Sequence, residues 1–554
     1  MSNHLDADDV LHVAIIGGGI SGLASAYYLM QRARHLGARL DIHVFEAKQT
    51  LGGNADTVVV DLARSTGEEA GELSYLRWAD LGVNDANLAT YERMHRAMED
   101  VGYLDHMRPL SDTKCCFGPD GATLWTDGAG ECPDTATGLA HSEGGLLAPL
   151  IRTVHRAAMD LRGHITLDYT CARFFQDCLD DPEGMLGEAA RGLGIAIDWA
   201  SAELPGRIVR ARDHYYYPRI AAMYFADPDG PGGMPLKAPL EYFRLQEGSE
   251  SPRRCYFDHG SQKWIETLAA NLEARSDGQV AVSIWTGERA QVRVMGDAVE
   301  VMHAGQTRLF DLCVMANHAD DAMGALSFDT ATAAFGARVG RILDSVRYAR
   351  SYAVCHTCAD LLPDEPDDWR TYNIAARPAD ARYWPYHINY VVNFHQNDAE
   401  HPQVCHDGAP AYFVSLVDDL RAIPREDMLD RVAGISTLPA SLRDAIPAST
   451  LRQMEAGAFD AGYRDPLQSG GSELQNKAWA AFKHNVLDAS CMQAQVDIRI
   501  LNETFAQGWS EGEGRVPCAA VPPLLFVGGW THGAGLLEQC MAQAEELSDW
   551  VLPH

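Results

Sequence analysis

Gly17, Gly19 and Gly22 follow the apolar run of residues 13–16 in "HVAIIGGGISGLASAYYL" and fit the spacing G-x-G-x-x-G. That spacing suits a bound dinucleotide. The first glycine allows a tight turn, the second lets backbone approach a diphosphate, and the third lets helix and strand pack closely. Ser21 stands in the helix that follows, whose N-terminal amides point at the diphosphate. A second apolar run, "LDIHVFEA", ends at Glu46, 24 residues beyond Gly22. A carboxylate there accepts both hydroxyls of an adenosine ribose and repels a 2′-phosphate. Gly52 and Gly53, in "AKQTLGGNADT", offer a second close backbone approach. These residues alone leave nicotinamide and flavin dinucleotides both open.

A turn of this kind has to be carried by a parallel strand buried on both faces, a helix and a second strand, which is the opening of an α/β fold. With 554 residues the chain exceeds the roughly 100–200 of one domain, so more than one unit is expected. Composition is that of a globular protein, 46% hydrophobic and 22% charged. The formal net charge of -32 sets its field against phosphate backbones and anionic lipid, which excludes nucleic acid as a partner. "MSNHLDADDV" lacks the basic and apolar segments of a signal peptide, and no run reaches the ~18 apolar residues of a membrane span, so a cytoplasmic location is expected. Thirteen cysteines, mostly scattered singly, fit reduced thiols. The "CHTC" of Cys355 to Cys358 has no second pair to complete a zinc site and reads as structural.

"VAIIGGGISGLASAYYL" with "VFEAKQTLGGNADT" resembles the N-terminal signature of the flavin-containing amine oxidase superfamily, which includes phytoene desaturases and protoporphyrinogen oxidases. Three further segments carry the resemblance: "YFDHGSQKWIETLAANL", "SIWTGERAQVRVMGDAVEVMHAGQTRLFDLCVMANHADDAMGAL", and "PPLLFVGGWTHGAGLLEQCMAQAEELSDWVL". Within the superfamily, "DLGVNDANL", "ILDSVRYARSYAVCHT", "DDWRTYN" and "YVVNF" are similar to predicted NAD/FAD-binding oxidoreductases described beside cyclopropane-fatty-acid synthases.

The resemblance implies FAD as cofactor. Lys48, Gly52, Gly53 and Asn54 would lie by the diphosphate, the backbone near Ala290 by the adenine, and Asn317 at the end of a further strand. Gly528, Gly529 and Gly535 would crowd the cofactor, with the helix starting at Leu536 and Leu537 aimed at the flavin ring. The implied fold is α/β, α+β overall. A Rossmann-like FAD domain from residues 10–80, 255–330 and 515–554 carries an inserted substrate domain from 81–254 and 331–514.

Oxidation of a C–H bond beside a flavin needs the donor carbon about 3–3.5 Å from the ring and few polar groups. Trp530, Thr531 and His532 lie in the turn expected to pass that ring, with His532 a candidate base, and Asn84 should run along the cavity. "HYYYP", from His214 to Pro218, reads as strand, which would send at most two of its tyrosines toward a pocket. Lys263 and Lys483, two of six lysines, fall outside the position of the flavin-side lysine of many amine oxidases, and each is expected in a salt bridge or in solvent. In "GGLLAPLIRTVHRAAMDLRG" one helix face collects Leu147, Leu150, Ile151, Val154, Ala158 and Leu161, and the second insertion reads as a sheet flooring a cavity. The reaction implied is hydride transfer from a small-to-medium organic or acyl substrate, with oxygen or another acceptor reoxidising the flavin. A monooxygenase using NAD(P)H, a redox-neutral isomerase and a non-catalytic flavin protein are the alternatives. Oligomeric state stays open.

Overall fold

The structure is a computed structural model that describes residues 10–62, 76–126, 144–224, 230–246, 253–377, 385–396, 409–431, 474, 477–511 and 522–553. The β-branched run after Val10 becomes the middle of a five-stranded sheet, in the order Val280–Thr286, Arg39–Glu46, Val10–Ile16, Leu312–Met315, Leu524–Phe526. All four pairings are parallel. Three widely separated stretches of chain therefore meet in one layer. Helix Ile20–Leu36 and the last helix, Leu537–Val551, pack against each other, and both begin at the same end of this sheet.

A second, seven-stranded sheet runs Trp479–Asn485, Tyr348–His356, Phe413–Val417, Tyr386–Val391, Tyr372–Ala376, Lys114–Phe117, Thr123–Thr126. Five of these strands come from the second insertion, where a sheet was expected, and two, Lys114–Phe117 and Thr123–Thr126, come from the first; the turn read at "LQSGGSE" lies outside the described residues. Helix Gly144–Leu161 forms as its periodicity predicts. Leu150, Ile151, Val154 and Ala158 are buried, Leu161 is partly so, and Leu147 is outside the residues whose side chains are described. Cys355 lies near the end of a strand and Cys358 follows it. Both are buried free thiols.

"HYYYP" corrects the strand reading. Residues 204–224 are continuous helix whose middle turn, Ala211–Tyr216, is π-helical. Pro218 supplies the physical reason: its ring clashes with the carbonyl four residues back, at His214, and a widened turn relieves that clash. The released His214 carbonyl instead accepts a hydrogen bond from Trp125 Nε1.

Asp80 ties the glycine-turn side of the molecule to helix Ser261–Ala274. Its fully buried carboxylate accepts from Ser261 N (3.0 Å), Ser261 Oγ (3.1 Å), Thr57 Oγ1 (2.6 Å) and Gln396 Nε2 (2.9 Å). Burial raises its proton affinity from an ordinary 3.8 to about 7, against these hydrogen bonds, which favour the charged form. The folded state thus holds a proton that the unfolded chain has released between those two values. The contribution to stability is complete below 3.8 and is lost as pH rises through about 7. Thermal midpoints of wild type and Asp80→Asn, compared from pH 4 to pH 8, should therefore diverge in slope, with the variant's profile the flatter. Parallel profiles would remove Asp80 as the titrating group.

Candidate functional site

One cavity of about 820 Å³ opens between the two sheets. That volume lies toward the top of the range for ligand pockets. Its floor at one end is the glycine turn: Gly17, Gly19, Ser21, Glu46, Lys48, Gly52, Gly53 and Asn54 all line it. Gly22 does not; it packs beneath, where a Cβ would stand 1.9 Å from the Gly17 carbonyl oxygen. Glu46 is nearly buried, and each of its carboxylate oxygens already accepts one backbone amide, from Gly18 (2.7 Å) and Lys48 (2.8 Å). A carboxylate has about four lone-pair positions, so acceptor capacity is left for a ribose. The carboxylate also fixes the turn that carries it. Lys48 Nζ donates to the Gly53 carbonyl at 3.1 Å within the second glycine loop, and the Gly52 N–H ties that loop to the first by donating to the Gly18 carbonyl at 3.1 Å.

Ala290 and Asn317 line the same cavity, as do Gly528, Gly529, Trp530, Gly535, Leu536 and Leu537 from the far end of the chain. At Gly535 (φ +73°) a side chain would meet the Gly529 carbonyl oxygen at 2.5 Å, so two glycine segments cross without Cβ atoms between them. The starts of helices Ile20–Leu36 and Leu537–Val551 both reach the cavity and bring unpaired amides and positive dipole ends to it.

The side chains of the last turn take directions that the sequence alone does not dictate. Trp530 is buried, and its indole donates to the Asn317 carbonyl at 3.0 Å, pinning the turn to the neighbouring strand end. Thr531 is buried and ties back to Gly528 O (2.9 Å) and Gln543 Oε1 (2.8 Å). His532 is exposed and does not line the cavity. The cause is the pair of glutamines gripping the turn. Gln495 binds both the N–H and the carbonyl of Gly533 at 2.9 Å, and Gln539 Oε1 accepts from Ala534 and Leu536 at 3.1 Å, which turns Trp530 inward and His532 outward.

The opposite wall comes from the seven-stranded sheet. Tyr372, Ile374, Ile388, Tyr390, Leu416 and Phe482 make it largely apolar, and Asn84 lines the cavity too. None of the three tyrosines of "HYYYP" reaches it. Two polar groups do, the first passed over by sequence reasoning and the second built on Lys483, which was expected in a salt bridge or in solvent. In the first, Arg254 Nη2 meets Asp85 Oδ1 at 2.5 Å and Nη1 meets Asp112 Oδ2 at 3.4 Å, while Tyr372 donates its hydroxyl to Asp85. Burial alone would raise the Asp85 carboxyl, but Arg254 and His395 hold it well below the usual carboxylate range. In the second, Lys483 Nζ bridges Asp320 (2.8 Å) and Asp321 (2.9 Å) beside His318 and His484. Lys483 is thus ion-paired as expected, yet its strand sets it on the cavity wall. His318, Asp320 and Asp321 hold donor atoms within 4.8 Å of one another, and the Lys483 ammonium already lies against both carboxylates. Burial pushes His484 down to about 4, so its imidazole is neutral at pH 7. Arg350, Tyr372 and Tyr390 belong to the segments "ILDSVRYARSYAVCHT", "DDWRTYN" and "YVVNF". Those strings carried the signal without showing which residue faces inward.

A family model described as an NAD(P)-binding Rossmann-like domain matches residues 15–81. Coproporphyrinogen III oxidase of Bacillus subtilis (strain 168) is 40% identical over 55 residues, 10% of this chain and 12% of that enzyme. The similarity therefore spans about an eighth of the relative's length. Among solved structures, a protein of Exiguobacterium sp. 255-15 provisionally named protoporphyrinogen oxidase aligns over 97% of this chain and 98% of its own, at 14% identity and TM-score 0.50. A conjugated-linoleic-acid-producing fatty acid isomerase of P. acnes aligns over 98% and 99%, at 12% identity and TM-score 0.51. A variant of putrescine oxidase aligns over 98% of this chain and 99% of its own, at 14% identity and TM-score 0.50, and the fold shared with these structures is a mixed α/β architecture with a Rossmann-like part. No helix among the described residues is long and apolar enough to cross a membrane.

Proposed function

We propose that this chain is an FAD-dependent oxidoreductase acting on a small-to-medium organic or acyl substrate inside the cavity. The observation that carries the reading is that Gly17 and Gly528, 511 positions apart, line one crevice together with the starts of two helices. In this reading Glu46 holds the adenosine ribose and the glycine pairs admit the diphosphate. Gly528, Gly529, Gly535 and the start of the last helix face the ring. Residues 10–80, 255–330 and 515–554 act as the cofactor domain and the two insertions as the substrate domain. FAD, when bound, supplies a hydride acceptor at its N5, and oxygen or another acceptor would take the electrons on.

The chain's own part is positioning. Ile374, Ile388, Leu416 and Phe482 exclude water and press the substrate toward the crossing glycines. Trp530, locked to Asn317, forms a fixed edge against which one face of the substrate is set, and Asn84 lines the same space. His484, kept neutral by burial, lines the cavity as a hydrogen-bonding group and is too weak a base to take a proton from the substrate.

Purified protein should be yellow and should gain thermal stability from added FAD. Glu46→Gln is expected to weaken FAD binding about 10- to 100-fold, the value of hydrogen bonds to a charged acceptor. Because the Glu46 carboxylate also anchors Gly18 and Lys48, the variant apoprotein should melt slightly lower. A colourless protein indifferent to FAD overturns the proposal. Bleaching of the yellow band by NADPH without oxygen would move the assignment to a monooxygenase.

A further inference from the structure

The π-helical turn and the proline that causes it have a result on the cavity wall. One residue beyond Pro218 stands Arg219, which lines the cavity although the preceding tyrosines do not. Its guanidinium lies 5.1 Å from the Tyr215 ring centre and 5.3 Å from that of Phe243, and Nη1 donates to Tyr215 Oη at 2.5 Å. Such contacts hold a planar cation in one orientation. Helix Tyr217–Tyr224 crosses strands Tyr372–Ala376 and Tyr386–Val391, whose Ile374 and Ile388 give the cavity its apolar face. Helix Lys237–Gln246 brings Phe243 to the cation and Tyr242 to the cavity.

Charge in the cavity also runs against the rest of the molecule. A chain of net charge -32 lines this space with seven Arg and Lys side chains and four Asp and Glu. A cation-rich cleft within an acidic protein concentrates field lines and favours an anionic guest. Two of the cations, Lys48 and Arg289, lie beside the glycine turn and Ala290, and so belong to the proposed dinucleotide end. Lys114 and Arg254 are engaged with Asp112, and Lys483 with Asp320 and Asp321. Arg350 stands beside Lys483 on the neighbouring strand, and Arg219 is the cation that the fold sets between aromatic rings.

We infer that Arg219 binds the carboxylate of an otherwise apolar substrate, its planar fork donating to the two carboxylate oxygens while the hydrocarbon body lies on Ile374 and Ile388. This names a substrate class for the cavity and rests on reading that cavity as the substrate site. A π-helical turn is a less stable arrangement than α-helix and recurs at functional sites, and here Pro218 makes it local and obligatory.

Decanoate and its charge-free counterpart decanamide test this by calorimetric titration of the purified full chain, with flavin content read in the same samples. Decanoate should bind about 10- to 100-fold more tightly than the amide. The preference should vanish in Arg219→Gln and survive in part in Arg219→Lys, which keeps the charge without the fork. Equal binding of acid and amide, absence of binding by either, or a preference unchanged in Arg219→Gln would each overturn the assignment. The acid-to-amide ratio in wild type stands even where a variant fails to fold. Calorimetry reads binding whatever the colour of the protein, so a colourless protein with an Arg219-dependent preference removes the cofactor reading alone. A yellow protein without the preference removes this one alone.

Discussion

Gly22→Ala is expected to cost about 3 kcal/mol or more of stability and to strip the protein of its cofactor, the upper end of what overpacking does. The added Cβ would lie 1.9 Å from the Gly17 carbonyl oxygen and 3.1 Å from its carbon. These are backbone atoms of the strand end, so no side chain can swing away. Gly17 is itself held by its amide hydrogen bond to the Phe45 carbonyl (2.8 Å), and the Phe45 strand lies beside it in register. Relief therefore means moving helix Ile20–Leu36 off the sheet, which breaks its packing on the last helix and spoils the diphosphate end of the cavity. Gly37 provides the control. It is left-handed at φ +73°, and a Cβ added there would have no heavy atom within 4 Å, so Gly37→Ala should show only the ~1–2 kcal/mol of backbone strain, with cofactor content unchanged. Denaturant midpoints and flavin-to-protein ratios for the two variants check this. Equal losses at both sites would mean that close packing is not the reason for Gly22.

The contrast between those glycines shows what a sequence carries. Strand, turn, helix and terminal Glu46 are local, and each residue's job follows from backbone geometry within one βαβ unit. All of them were legible. That Gly528, Gly529 and Gly535 share a site with Gly17 was expected from resemblance rather than from spacing, because no local rule joins positions 17 and 528, and the crossing of Gly529 with Gly535 is visible only in the structure. His532 marks the limit from the other side. Its turn lines the cavity through Gly529, Trp530 and Ala534, but the direction of a side chain within it depends on Gln495, a distant helix residue whose amide grips Gly533. "HYYYP" misled because tyrosine favours strands, while the proline that decided the local geometry acts on a carbonyl four residues back. Lys483 and His484 sit on the cavity wall because strand Trp479–Asn485 pairs with Tyr348–His356, a pairing over more than a hundred residues of chain.

Arg254→Ala should be the most damaging substitution outside the glycine turns, at about 3–5 kcal/mol, because it leaves a buried carboxylate without its cation. The side chains of Arg254 and Asp85 are 6% and 7% exposed, so water cannot replace the lost partner. The pair also joins separate parts of the fold. Asp85 and Arg254 lie on adjacent antiparallel strands, Asp85–Asn87 and Arg254–Phe257, and Tyr372, which donates to Asp85, belongs to the seven-stranded sheet. With the guanidinium gone, burial raises the Asp85 carboxyl unopposed by its main cation, so the variant should regain stability as pH falls and the group takes up a proton. Wild type should behave oppositely at this site. Its depressed carboxyl contributes stability that is present above the unfolded value of 3.8 and is lost only as pH falls below it. Adding Asp85→Asn to Arg254→Met should recover much of the loss, since the neutral pair carries no stranded charge and Asp112 keeps Lys114 as its cation at 2.6 Å. A double-mutant cycle in denaturant, repeated at pH 5 and pH 8, measures both effects. A coupling near zero at both values would mean that Asp85 and Arg254 are solvated independently, and that the cavity wall does not depend on their contact.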